Sequence, residues 1–512
     1  MIHSYGNLKK GVSAVFDLLF SRTENTTSCT ALDDLLFREL QDTVFYDQND
    51  LYESFIKVVS FPLIDKEAIT KRQDILKDLL DAPFLIDSMC EICGKAKDIK
   101  PEGRRSLYQK IDARARLQIN YQALHNIYCY LDDLGSLLRG IRFRSAELNK
   151  IKEYFGQVND FMILFNDLSM LTQRALEMNS YSAEVEFNKI AGFKTMKLTG
   201  FDQDDLNIKK CDEKKEMIFK KKRINDAGTI LDYSKNKDIE RSIEEITEKT
   251  VYNVCKLLSG VYNFYRSIFD SLYEQLIFYK AALLYLGYLK DTGQGYCFPE
   301  LTCEKKCIEA SGLYFFPLVL NKENVETNDF RTQGDSIFII SGYNRAGKTT
   351  FLRSIGFAQI LAQSGLVVPA NSYKCSVFSY ILVHFPRGEE KQLLSGLFED
   401  EMKRLKNDID RIKSDSLVLL NESFSTTVES EAESHASNII TALAWTGSVI
   451  FFVTHFYNFS VHIEDLNRRL DGKSSAVNLV TEKYEKPNTR SSYRIVRGKP
   501  VSNYKIKLED FL

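Results

Sequence analysis

No proline lies between Pro101 and Pro299, although the chain has nine in all. Proline breaks helix interiors, so a span this long without one leaves room for long helices. Excess charge of either sign is also missing: 68 basic residues stand against 70 acidic, a net of -2. This excludes binding of nucleic acid by bulk positive charge, and any such contact has to be local or topological. Long apolar runs are absent too. The most apolar helical window, Leu276 to Leu289, is too short to span a bilayer and contains Lys280, so no membrane partner is expected. Met1 to Lys10 is polar and no long apolar stretch follows it, so no signal peptide is read there. The ten cysteines are scattered, and only Cys90–Cys93 and Cys303–Cys307 sit close together. Neither pair has a histidine at ligand spacing, and both separations suit thiols on one helix face, so zinc is not expected. Reduced thiols and a cytoplasmic location are.

The composition, 44% hydrophobic and 27% charged over 512 residues, is that of a globular chain with two to four domains. Ile239, Ile243 and Ile246 recur at helical spacing, and Phe264, Ile268, Leu272 and Leu276 continue the pattern. The spacing predicts a long helix or helix pair from about Asp238 to Lys290. From Phe193 to Asn236 the chain turns polar, with Lys209–Lys210, Lys214–Lys215 and the run Lys220 to Arg223. Such a run is either a solvated face or a tip that touches DNA phosphates. After Pro299 the pattern changes. Ile337 to Ile340, Leu417 to Leu420 and Val449 to Val453 are short apolar runs bounded by Gly, Asp or Asn, with helical stretches between them. That alternation predicts a largely parallel sheet covered on both faces.

Gly342-Tyr343-Asn344-Arg345-Ala346-Gly347-Lys348-Thr349 fits GxxxxGK[ST] completely, after one predicted strand and before a helix starting near Thr350. The glycines let the backbone wrap closely, so that its N–H groups and the helix N-terminus can face phosphate oxygens. Lys348 supplies a point charge for the β- and γ-phosphates, and the Thr349 hydroxyl is placed for Mg²⁺. The strand at 417–420 runs into Asn421-Glu422. Glu422 stands where a carboxylate can orient or deprotonate an attacking water. Asn421 stands where such a site normally places an aspartate for the metal, and brings no charge. Thr454-His455 ends the next strand, where an imidazole can reach the γ-phosphate or its water.

These residues resemble the MutS family, the ATPases of DNA mismatch repair and their paralogues. Ser341 to Ala370 is similar to that family's P-loop, following helix and valine-proline-alanine turn. Asn344 matches the asparagine typical of its loop. Ser395-Gly396-Leu397-Phe398 with Glu401-Met402 resembles the signature segment that reaches across a dimer to the partner's ATP. Ser416 to Thr427 resembles the Walker B strand and loop, and Phe451 to His455 the phenylalanine-rich strand and histidine. More weakly, Pro62 to Asp65, Arg72 to Asp74 and Lys77 to Leu80 resemble the start of the helical core and lever. Asn421 departs from the family's aspartate. Phe37-Arg38-Glu39 echoes its mismatch probe, but sits in a helical segment where Phe37 fits an apolar face. The chain begins almost at the lever, so the mismatch-reading domain and, after His455, the nuclease tail are expected to be missing. Arg497-Gly498-Lys499 resembles a closing hairpin.

The resemblance implies a multidomain protein, with a mainly α-helical core and lever over 1–300 followed by an α/β P-loop, ABC-like ATPase domain over 301–512. The polar stretch at 193–236 would be a clamp insertion. ATP and Mg²⁺ are the implied cofactors. Gly342 to Thr350 with Ser395 and Gly396 would hold nucleotide, Thr349 and Asn421 the metal, and Glu422 and His455 would act in catalysis. The implied function is an ATP-driven DNA clamp in repair or recombination, closed by a homodimer of ATPase domains. A nucleotide-binding scaffold with little hydrolysis is the alternative, motivated by Asn421. A transporter ATPase is disfavoured by the lack of membrane-coupling signals and by the helical lever.

Overall fold

The computed structural model describes residues 16–20, 26–27, 32–99, 113–156, 165–170, 172, 180–187, 193–202, 237–321, 325–385, 394–423, 429–472, 474–482 and 492–500. The basic tracts at 209–223 lie outside them, as does most of the expected clamp stretch. The chain divides into two compact units, one including Ser88–Ile141 and Lys150–Tyr273, the other Phe16–Asp87, Arg142–Asn149 and Glu274–Leu512.

Among the described residues the first unit is helical apart from one hairpin. Helix Ala113–Leu138 and the first part of helix Lys237–Asp291 are its main elements. The 55-residue helix Lys237–Asp291 is the one expected from the Ile239-to-Leu276 periodicity, within a residue at each end. Ser259 donates to Asn120 at 2.8 Å and Tyr262 to the Ile99 carbonyl, fixing this helix against its neighbours. Phe165 stacks on Tyr128 with ring centroids 5.0 Å apart. Two strands, β1 (Ser180–Phe187) and β2 (Phe193–Asp202), pair antiparallel. The interruption of the helices therefore begins before Phe193, by Ser180, in a segment where Tyr181, Ala183, Val185 and Phe187 alternate in sequence with polar residues, the period of a strand.

Among its described residues the second unit holds two sheets. Four strands, β3 (Glu300–Leu301), β4 (Ile308–Leu313), β5 (Asn328–Arg331) and β7 (Ser372–Cys375), form a sheet in the order β3-β7-β4-β5. The other sheet contains β6 (Ile337–Ser341), β8 (Ile381–His384), β9 (Leu417–Asn421), β10 (Val449–Val453), β11 (Ala476–Thr481) and β12 (Ile495–Arg497). Its order is β12-β11-β6-β10-β9-β8, parallel except for β12, which closes the edge as an antiparallel hairpin with β11. All residues of β6, β8, β9 and β10 are buried. Helices on both faces demand this, and it is why these strands read as unbroken apolar runs rather than alternations.

Helix Lys348–Gln363 covers one face. It approaches closely at Gly356, where an added Cβ would lie 2.6 Å from Leu419 Cδ1. On the same side Phe338 and Phe451 stack at 4.8 Å, with Phe330 edge-on to Phe338. The opposite face buries Ile339, Val418, Leu420, Ile450 and Phe452 against Ala432, Ala436 and Ile440 of helix Glu429–Trp445.

The N-terminal residues of this unit are wired to the far end of helix Lys348–Gln363. Arg72, 1% exposed, donates to the Ser364 carbonyl at 2.9 Å and to the Leu19 carbonyl. Its guanidinium lies 5.5 Å over the Phe278 ring. The Gln363 side chain donates to the Leu63 carbonyl at 2.9 Å, and the Gln363 carbonyl accepts from Leu63 N at the same distance. Leu18 exchanges with Gln275 and Tyr279 in the same way. Among the described residues no helix is long and apolar enough to cross a membrane.

Phe37 lies in a 3₁₀ turn, Phe37–Leu40, fully buried and stacked on Phe357 at 4.3 Å. It is a core side chain, as its place on an apolar face implied. Phe37→Ala should therefore cost about 3–5 kcal/mol of stability, the usual range for truncating a buried aromatic, while Phe37→Leu costs far less. Denaturant unfolding of both variants checks this, and an unchanged midpoint for Phe37→Ala would remove Phe37 from the core.

Candidate functional site

The parallel strands β6, β10 and β9 bring three loop ends to one edge of the sheet, the place where such sheets bind ligands. The first is the loop from Gly342 to Gly347. It turns through three left-handed residues: Gly342 (φ 137°), Arg345 (φ 61°) and Gly347 (φ 91°). At Gly342 a side chain is doubly excluded, since a Cβ there would lie 2.6 Å from Thr481 Oγ1. Gly347 then caps helix Lys348–Gln363 without any side-chain hydrogen bond to the first turn. The leading N–H groups of a helix have no partner within it, so this end offers donors and the positive pole of the helix to an anion.

Lys348 folds back over the loop. Its Nζ donates to the Gly342 and Tyr343 carbonyls, both at 2.9 Å, and the residue is buried. Burial lowers its pKa and the nearby Glu422 carboxylate opposes that shift. A desolvated ammonium satisfied only by neutral carbonyls gains from an anion placed beside it.

The second loop end is Asn421-Glu422. The Thr349 hydroxyl donates to Asn421 Oδ1 at 3.0 Å. Glu422 adopts φ 49°, an uncommon conformation for a residue with a side chain, and its N–H is held by the Val453 carbonyl at 2.8 Å. The third end is Thr454-His455, where Thr454 N bonds the Ile340 carbonyl at 3.1 Å. His455 Nε2 meets Glu422 Oε1 at 2.7 Å. That bond lowers the Glu422 pKa, burial works against it, and the charges of His455 and Lys348 add to the lowering.

All three ends open on one cleft of about 750 Å³, the size of a site for a nucleotide-sized molecule. Asn344 to Thr350, Glu422 and His455 form its polar wall. Tyr343 is partly exposed and contributes its carbonyl to Lys348. Ser395 and Gly396 fall in the first turn of helix Leu394–Ile409, and the surroundings of that turn are outside what the structure describes. Asn421 is buried at the end of β9, behind Thr349.

The apolar part of the lining was not foreseen. It comprises Tyr314, Phe315, Leu318 and Val325, together with Tyr493, which packs against Gly347. Asn328 joins the segments: its Nδ2 donates to the Tyr493 carbonyl at 3.5 Å and its Oδ1 accepts from Ile495 N at 2.8 Å. Tyr493 itself is left-handed, at φ 58°. Nothing local in the sequence marks these residues, since they come from segments more than 160 positions apart. Among the described residues no three His, Cys, Asp or Glu side chains gather to hold a metal ion.

Residues 338–510 match the family model for MutS domain V. Over 450 residues the chain is 24% identical to the DNA mismatch repair protein MutS of Staphylococcus carnosus, covering 78% of this chain and 49% of that one. Residues 338–510 are thus a MutS-family domain, and these matches support membership of the MutS family. Other MutS relatives match shorter stretches. The mouse MutS protein homolog 4 is 26% identical over 226 residues, 43% of this chain and 23% of its own. The endonuclease MutS2 of Ruminiclostridium cellulolyticum is 28% identical over 168 residues, 32% of this chain and 20% of its own. The chain thus spans about half the length, or less, of these curated relatives.

If the cleft takes a nucleoside triphosphate, Lys348 is its central cation. Lys348→Ala should then lose the thermal stabilisation that millimolar ATP gives the parent, with little change in its own melting temperature, because the desolvated charge stabilises the ligand rather than the fold. A differential scanning measurement with and without ATP decides it, and a shift that survives in Lys348→Ala removes this loop as the site.

Proposed function

We propose that this MutS-family chain is an ATP-binding, DNA-binding protein of DNA repair or recombination, in which nucleotide controls the grip on DNA. The observation that carries the reading is the convergence of the Lys348 loop with the Glu422–His455 pair on one cleft. The left-handed glycines and the helix start suit phosphate oxygens, Lys348 supplies positive charge, and the wall of Tyr314, Leu318, Val325 and Tyr493 suits a base. ATP would bring the phosphoanhydride bond whose hydrolysis the site promotes. Glu422 accepts a proton from water, and His455 holds that carboxylate in position.

Divalent metal is a poorer match than nucleotide. The two side chains at its expected place, Thr349 and Asn421, are both neutral and already bonded to each other. No catalytic step is therefore assigned to Mg²⁺. The neutral Asn421 also supports the second reading, a nucleotide-dependent switch with slow hydrolysis.

In the full proposal the chain works as a homodimer. Gly342 to Thr349 of one copy hold the phosphates and Ser395-Gly396 of the other cover them. Closure of residues 301–512 around nucleotide then biases the mainly helical residues 1–300, including the stretch at 193–236, between open and closed states on DNA. The relatives' names, mismatch repair protein and endonuclease among them, support DNA as the partner.

Two measurements test this. Glu422→Gln should lower phosphate release at least about 100-fold while sparing ATP affinity, the loss expected on removing a general base; normal turnover would overturn the assignment. Binding to homoduplex, mismatched, branched and single-stranded DNA should differ with and without ATP, and sedimentation with a non-hydrolysable analogue should show a dimer. DNA affinity indifferent to ATP on every substrate, or a monomer at all concentrations, sinks the clamp.

A further inference from the structure

The charge balance of this cleft departs from what a metal-dependent nucleotide site needs, and the following rests on the nucleotide reading above. Asn421 is 7% exposed at the end of β9, and its Oδ1 accepts the Thr349 hydroxyl proton at 3.0 Å. An aspartate at this position would set a negative charge beside the phosphates and repel them until a dication came between. Asparagine keeps the hydrogen bond to Thr349 and removes the charge.

The carboxylates that line the cleft do not replace it. Glu422 bonds His455 at 2.7 Å and sits in the field of Lys348. Glu326 stands on the Asn328–Tyr493 side, 3.7 Å from the Arg494 guanidinium and half exposed. Proteins hold Mg²⁺ through one or two carboxylates together with substrate phosphates, because the ion gives up its water reluctantly. Two neutral oxygens that already satisfy one another are a weak inducement. The positive side of the balance is intact: the buried Lys348 ammonium lies over the loop and no side chain caps the helix start.

We propose that this site binds nucleoside triphosphate without a divalent cation, with Lys348 and the start of helix Lys348–Gln363 supplying the counter-charge. Occupancy then follows nucleotide concentration alone, and metal enters only as a passenger on the phosphates. Binding and metal dependence, coupled where an aspartate stands, are uncoupled by Asn421.

The test is calorimetric titration of the full chain with ATPγS, once in excess EDTA and once in excess Mg²⁺. For the wild type the two dissociation constants should agree within about threefold, since no fixed carboxylate has to be neutralised at residue 421. Asn421→Asp should bind about tenfold or more weakly in EDTA and recover in Mg²⁺, because a unit charge has been placed against the phosphates. Asn421→Ser, neutral like the parent, should keep the wild-type ratio. Wild-type binding present in Mg²⁺ and lost in EDTA overturns this inference and leaves the nucleotide site standing. An Asn421→Asp ratio equal to the wild type's also overturns it. Binding in neither buffer overturns the nucleotide reading itself.

Discussion

Parallel pairing of β9, β10 and β6 is the constraint on which the rest of the site depends. In that register Asn421 lies beside Val453, and Val453 beside Ile340, so the three strands end together. Each chemical group is the next residue or two along: Gly342 after β6, Glu422 after β9, His455 after β10. The Glu422 N–H to Val453 and the Thr454 N–H to Ile340 continue the ladder one step beyond the sheet. The left-handed turn at Glu422 is the cost of that step, and it swings the carboxylate to within 2.7 Å of His455. A slip of one residue would reverse every side chain across the sheet and scatter the site.

Much of this was legible in the sequence for a definite reason. Ile337 to Ile340 and Val449 to Val453 are apolar at every position because both faces are covered, and a run of that kind admits few other places in a fold. The loop pattern was legible because glycine is required where φ is positive, and Gly342 and Gly347 occupy such positions. The long helix showed its period over many turns. The hairpin Ser180–Asp202 was missed although Tyr181, Ala183, Val185 and Phe187 alternate with polar residues, because eight residues of that period are short beside the helical patterns that flank them. The wall built by Tyr314, Leu318, Val325 and Tyr493 was hidden for a different reason: it exists only once β5 and β12 are brought together through Asn328. Arg345 and Glu422, left-handed without being glycine, also escape any reading of residue types, because strain at such positions is imposed by the surroundings.

Two buried cations serve opposite ends of one helix. Lys348, at its start, is satisfied by loop carbonyls that leave room for an anion. Arg72, at its end, donates to the Ser364 carbonyl, the electronegative pole. The first can change partner and the second cannot, since Gly365 packs against its stem, a Cβ there lying 2.9 Å from Arg72 Cβ. Rigidity is thus concentrated at one end of the helix and adaptability at the other.

The bond from Arg72 to Ser364 spans 292 positions of the chain, and this has a consequence for synthesis. Leu63, Arg72 and the segment around Leu18 leave the ribosome long before helix Lys348–Gln363 exists. At about 5–20 residues per second, the early segment waits roughly 15–60 s for the surface it packs against. During that interval the apolar faces of helix Lys66–Asp81 and of residues around Phe37 have no core of their own. The nascent chain must shelter them by transient pairing or by chaperones, whereas the other unit, whose last residue is Tyr273, can complete itself in the meantime.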